Sequence, residues 1–101
     1  MIVITGQFRM DPAPERAEAI RAALEAVIHA TRAEKGCLAY SYAQDVLEPG
    51  LYRLTEIWES REDLAVHFTQ PHMKVWMDVR PELGFTKRDL TLHETVSSEP
   101  F

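Results

Sequence analysis

Residues 2–10 alternate. Ile2, Ile4, Gly6, Phe8 and Met10 share one side of an extended chain, and Val3, Thr5, Gln7 and Arg9 share the other. A period of two with one strongly apolar side predicts a strand. Asp11-Pro12-Ala13-Pro14-Glu15 follows. Its prolines suit the first turn of a helix, and its acids favour the positive end of the helix dipole. From there to about Glu34, Ile20, Leu24, Val27, Ile28 and Thr31 recur at helical spacing, while Glu15, Arg16, Glu18, Arg21 and Glu25 lie mostly off that stripe. This predicts a long amphipathic helix. Lys35-Gly36 then supplies a basic last turn and a glycine stop.

Cys37 to Val46 predicts a second strand, with Leu38, Tyr40 and Tyr42 alternating with Ala39, Ser41 and Ala43. Glu48-Pro49-Gly50 is turn chemistry. Leu51 to Glu59 predicts a third strand, with Tyr52, Leu54, Glu56 and Trp58 on one side and Leu51, Arg53, Thr55 and Ile57 on the other. The short link makes strands two and three a hairpin. Ser60 is placed to cap a helix running to about Phe68, with Asp63 three residues on. Pro71 starts a second short helix to about Val79, and residues 85–95 predict a last strand. The order is βαββαβ with the second α broken in two. Ordinary connection rules pack it as an α+β, ferredoxin-like antiparallel sheet with helices on one face. Strands one and three also carry apolar residues on the uncovered side, which predicts that a second copy covers it.

Composition narrows the function. The chain has 101 residues, which predicts one domain over 1–101 with residues 96–101 as a tail; 46% are hydrophobic and 27% charged, a folded rather than disordered balance. The net charge is −5, and no basic cluster is longer than Lys87-Arg88, so there is no concentrated face for a phosphate backbone and no nucleic-acid partner is expected. Cys37 is the single cysteine, which excludes an intrachain disulfide and a CxxC motif. The N-terminal residues lack a secretory pattern, and no apolar run reaches the length of a bilayer span, so no membrane partner and a cytoplasmic, reduced location are expected. No phosphate-binding loop, GxSxG or dinucleotide fingerprint is present, so no nicotinamide or flavin cofactor is expected.

The stretch SREDLAVHFTQPHMKVW, residues 60–76, holds the candidate chemistry. On a continuous helix His67 and His72, five residues apart, would point about 140° away from each other. Helical metal pairs use i, i+4, so no metal site is expected. Pro71 interrupts the helix between them. His67 falls near the end of one helix, where the dipole favours imidazolium, and His72 in the first turn of the next, where it favours neutral imidazole. Such a pair suits acid–base work, although a histidine at a helix end is also an ordinary cap or packing group. Glu56 lies mid-strand, where a carboxylate must be paired, wetted or working; the structural reading pairs it with Arg9 or Arg88. Phe8, Tyr40, Tyr42, Tyr52, Trp58, Phe68 and Trp76 could wall a cavity for a flat ring or serve as core. Cys37 follows a helix C-terminus, which disfavours a reactive thiolate.

Glu56-Ile57-Trp58-Glu59-Ser60, then Leu64 and His67-x-x-x-Pro71-His72-Met73-Lys74, resembles the antibiotic biosynthesis monooxygenase family, in particular its small quinol monooxygenase-like branch; Glu34-Lys35-Gly36-Cys37 leading to Tyr40 is similar to its entry to strand two. The resemblance spans the chain. It implies a dimeric α+β barrel, a homodimer, oxidising a small aromatic, quinol-like or polyphenolic substrate with O2 and no cofactor. His67 or His72 would be the base, Glu56 would orient a histidine or a substrate hydroxyl, and Trp58, Phe68, Trp76 and Tyr42 would hold the ring. The same fold and histidine run also resemble an isomerase of a phosphorylated autoinducer-type sugar metabolite, and a non-catalytic binding or stress-response module is a third reading. The haem-degrading branch looks like it carries tryptophan where His67 stands and a histidine where Met77 stands, which argues against haem.

Overall fold

The alternation at 2–10 becomes β1 (Ile2–Met10), a central strand of a four-stranded sheet in the order β2-β3-β1-β4, the order of a ferredoxin-like α+β fold. The computed structural model describes residues 1–11 and 13–101, so the Pro12 part of the expected helix start lies outside it. The remaining elements are a 3-10 turn at Pro14–Arg16, α1 (Ala17–Arg32), β2 (Cys37–Gln44), β3 (Leu51–Trp58), α2 (Arg61–His67), α3 (Pro71–Val79) and β4 (Phe85–Glu94). All strand neighbours are antiparallel, with Ile4 opposite Glu56, Tyr40 opposite Glu56, Tyr42 opposite Leu54 and Gly6 opposite Leu90. No helix among the described residues is long and apolar enough to cross a membrane.

The helices lie on one face. The α1 stripe residues Ile20, Val27 and Thr31 are buried, and α1 packs on β2 and α3. One core cluster joins Phe8, Leu54, Tyr40 and Phe85 of the sheet to Ile20, Val27, Met73 and Trp76 of the helices. A second joins Ile2, Ile4 and Trp58 to Leu64 of α2. Ser60 caps α2 as expected, its Oγ accepting from the Asp63 N–H at 3.1 Å. Gly36 closes the turn after α1 at φ +81°, a conformation that L side chains resist.

One boundary shifts and one strand bulges. β2 stops at Gln44 rather than Val46, because the Asp45 carboxylate accepts from the N–H groups of Leu47 and Glu48, both at 2.9 Å, and turns the chain. This leaves Val46 and Leu47 almost fully exposed. At the other end of β2, Cys37 faces Trp58 and Ala39 faces Ile57, so Leu38 is an extra residue in a bulge and points into solvent. On the open face of the sheet, Ala39, Ile57 and Val3 stand side by side across β2, β3 and β1, each partly exposed.

Candidate active site

Three chain segments converge on one carboxylate. Glu34 follows the C-terminal end of α1, where its N–H donates to the Thr31 carbonyl. His67 occupies the last turn of α2. The chain then leaves helical geometry: Gln70 is extended (φ −75°, ψ 143°), Pro71 opens α3, and His72 follows it. This reversal turns both imidazoles onto Glu34. His67 Nδ1 is 2.6 Å and His72 Nε2 is 2.8 Å from the same oxygen, Glu34 Oε2. An ionised carboxylate only accepts, so both histidines present N–H to it, leaving His67 Nε2 and His72 Nδ1 as the nitrogens free to take a proton. The His67 side chain is 1% exposed and that of His72 21%. One imidazole is therefore locked inside and the other reaches the surface. The second carboxylate oxygen, Glu34 Oε1, is buried without a hydrogen-bond partner.

Behind this triad stands a second buried carboxylate. Glu56 is 5% exposed, and its Oε1 accepts from the Trp58 indole N–H at 3.0 Å. Burial pushes its carboxyl above the usual range and the nearby Glu34 charge acts in the same direction, against the Trp58 hydrogen bond and His67. Burial also raises the phenols of Tyr40 and Tyr42, and the Cys37 thiol, where Glu34 and Glu56 add to the effect. The thiol is thus disfavoured as a nucleophile chiefly by burial.

The seven candidate site residues, Glu56, His67, His72, Tyr42, Trp58, Phe68 and Trp76, line neither of the described cavities. Trp58 packs on His67 with ring centroids 4.8 Å apart, Phe68 lies 5.2 Å from His67 and is half exposed, and His67 and His72 are 6.1 Å apart. Tyr42 and Trp76 stack edge-on at 5.7 Å farther along the same face, linked to His67 through Tyr40. These rings fill the space between sheet and helices. The larger described cavity, about 580 Å³, lies between α1 and the hairpin end of the sheet, against Met10, Ile20, Leu24, Ile28 and Tyr52, and none of the seven lines it.

Among the described hydrogen bonds, Glu56 Oε1 accepts from Trp58 and makes none to a histidine, and the carboxylate that both imidazoles face is Glu34. Nor does Glu56 pair with arginine. Arg9 pairs with Glu48 at 3.0 Å, and Arg88 faces Phe8 in the strand register. Glu34 is the residue that sequence reasoning left without a role. Its signal was an acid just past a helix C-terminus, where the dipole disfavours negative charge. The i, i+5 argument against a metal pair assumed a continuous helix. In the fold, one donor atom from each of Glu34, His67 and His72 lies within 4.8 Å of the other two.

Comparison with known proteins identifies the family. A protein named "Uncharacterized protein sll1783", from a Synechocystis strain, is 24% identical over 98 residues, which are 97% of this chain and 65% of that protein, so the chain spans less than two thirds of that relative's length. "Putative monooxygenase Rv0793" of Mycobacterium tuberculosis is 36% identical over 76 residues, covering 75% of this chain and 71% of that one. Its solved structure superposes with a TM-score of 0.80 at 29% identity over 99% of this chain and all of the other. A structure from Deinococcus radiodurans, described as "a putative antibiotic biosynthesis monooxygenase", superposes with a TM-score of 0.87 at 27% identity, covering 100% of this chain and 98% of that one. Residues 1–79, spanning both edges of the histidine–carboxylate cluster, match the family described as antibiotic biosynthesis monooxygenase, and the chain belongs to that family.

Proposed function

We propose that the protein is a cofactor-independent monooxygenase that oxidises a quinol-like or polyphenolic small molecule with O2, working as a cytoplasmic homodimer of one-domain chains. The observation that carries this reading is the single carboxylate oxygen holding two imidazoles, one buried and one at the surface. His72 is the base. Its Nε2–H is tied to Glu34, so Nδ1 is the nitrogen that takes the hydroxyl proton of a substrate seated beside the exposed ring of Phe68. Glu34 fixes the tautomer and stabilises the imidazolium that forms, and His67 fixes Glu34 from behind.

The chemistry needs little else from the protein. Triplet O2 reacts slowly with closed-shell molecules, but an ionised quinol can give it one electron, and the resulting radical pair can join at a ring carbon. Loss of water from that hydroperoxide gives a hydroxyquinone. One quinol and one O2 thus become one hydroxyquinone and one water, with one oxygen atom in each product. The base lowers the barrier to the first step, and the apolar surroundings keep the two reactants together.

The test is oxygen-electrode turnover with a panel of hydroquinones in chelator-treated buffer, comparing wild type with His72→Ala and His67→Ala. Uptake that depends on His72 supports the reading. Uptake unchanged in both variants removes the histidines from the mechanism, and no uptake from any quinol rejects the oxygenase.

A further inference from the structure

We propose that Glu34, His67 and His72 form a binding site for a divalent transition-metal ion of the zinc class, and that its occupancy blocks the oxygenase. The binding half stands on the geometry alone; the inhibitory half rests on the function proposed above.

The donor set is the first argument. Two imidazole nitrogens and a carboxylate oxygen suit Zn2+, Co2+, Ni2+ and Cu2+ rather than Mg2+ or Ca2+, which prefer all-oxygen shells. One donor atom from each residue lies within 4.8 Å of the others, and the two nitrogen–oxygen separations are 2.6 and 2.8 Å. Zn–N and Zn–O bonds of about 2.0–2.2 Å put neighbouring donors of a tetrahedral site roughly 3.4 Å apart, so seating an ion needs each imidazole to retreat from the carboxylate by somewhat more than half an ångström.

An independent observation points the same way. Glu34 Oε1 is buried and has no hydrogen-bond partner, a costly state for a carboxylate oxygen that a cation beside it would relieve. The backbone field agrees on balance. Glu34 follows the C-terminus of the 16-residue α1, and His67 ends α2, so two negative helix ends face the ion against the positive end of α3 at His72. Three segments supply the three ligands, and the partly exposed His72 gives the ion a way in. Water completes the coordination shell. A metal on His72 Nε2 takes the lone pair of that nitrogen, so the ring proton sits on Nδ1, and the nitrogen that accepts the substrate proton in the mechanism above is no longer free.

The experiment is a Co2+ titration of chelator-treated protein followed by visible absorption, with Zn2+ competition and metal content by elemental analysis. The expected result is one Co2+ per chain with ligand-field bands of a site of low coordination number, displaced by Zn2+. His72→Ala, at a partly exposed position, is expected to weaken binding by about tenfold or more, and Glu34→Gln to do the same with an unchanged circular-dichroism spectrum. His29→Ala and His93→Ala are expected to leave binding unaltered, since these two histidines lie outside the cluster. Absence of a spectral change at millimolar Co2+ overturns the proposal, as does binding that survives His72→Ala or that is lost in His29→Ala or His93→Ala. Zn2+ abolishing oxygen uptake in wild type supports the inhibitory half, and undiminished uptake at full occupancy overturns it. A protein that oxidises no quinol but binds Co2+ as described rejects the oxygenase and keeps the metal site, so the two failures are distinguishable.

Discussion

Glu34 and His67 stand 33 positions apart in the chain and 2.6 Å apart in space, and the same carboxylate oxygen receives His72 at 2.8 Å. Glu34 is therefore the joint of the candidate site. Glu34→Gln keeps the shape and removes the charge that would stabilise a protonated His72. We expect kcat to fall roughly 10–100-fold with KM little changed, using whichever quinol supports oxygen uptake. A change confined to KM would place Glu34 in substrate binding instead.

The two histidines should separate stability from turnover. His67 is packed against Trp58, Tyr40 and Phe68 and is almost fully buried. His67→Ala leaves a cavity and is expected to cost about 2–4 kcal/mol in urea unfolding. His72→Ala, nearer the surface, should cost less than about 1 kcal/mol while removing turnover. Equal losses of stability would show that both are packing groups.

Glu56 gives a pH signature. Burial raises its carboxyl above the ordinary range in the folded state, so the folded protein holds that proton more tightly than the unfolded chain. The contribution is favourable below the ordinary carboxylate pKa and is lost as pH rises through the raised value. Glu56→Gln has no such loss. The stability of the variant relative to wild type, measured by denaturation at a series of pH values in chelator-treated buffer, should therefore improve from acid towards neutral pH. A pH-independent difference would mean that Glu56 ionises freely in the fold.

Gly36 sits at φ +81°, and a Cβ there would fall 2.1 Å from the Asp63 carboxylate that also accepts from the Ser60 hydroxyl. Gly36→Ala should therefore destabilise by about 1–3 kcal/mol, through both the backbone and the displaced cap of α2. Thermal unfolding checks it. A shift of less than a degree would show that the turn relaxes without cost.

The open face of the sheet predicts an assembly. Ala39, Ile57 and Val3 form a small apolar row there, flanked by Thr55, Thr5 and Ser41. If a second sheet covers this row, sedimentation should give the mass of two chains, and Ile57→Asp should reduce it to one. A single-chain mass for wild type at micromolar concentration would leave this face to solvent.

Local patterning determined most of the fold, because strands and helices are written in short periods: the alternation at 2–10, the stripe from Ile20 to Thr31, the Ser60 cap and the Pro71 restart all stand where the residues put them. The ends shifted where a side chain bonded its own backbone, as Asp45 does. The candidate site was only half legible. His67 and His72 carry titratable chemistry that can be named from residue type, and the proline between them hinted at their reorientation. Their partner could not be found that way. The family resemblance gave the orienting role to Glu56, yet its Oε1 is bonded to Trp58 and the imidazoles face Glu34. Glu34 reaches the histidines only because α1 crosses the sheet and ends beside the α2–α3 break. Periodicity reports which face of its own element a residue occupies. It carries no information on which helix end meets which, and that meeting, set by packing across the sheet, decided the donor set of this site.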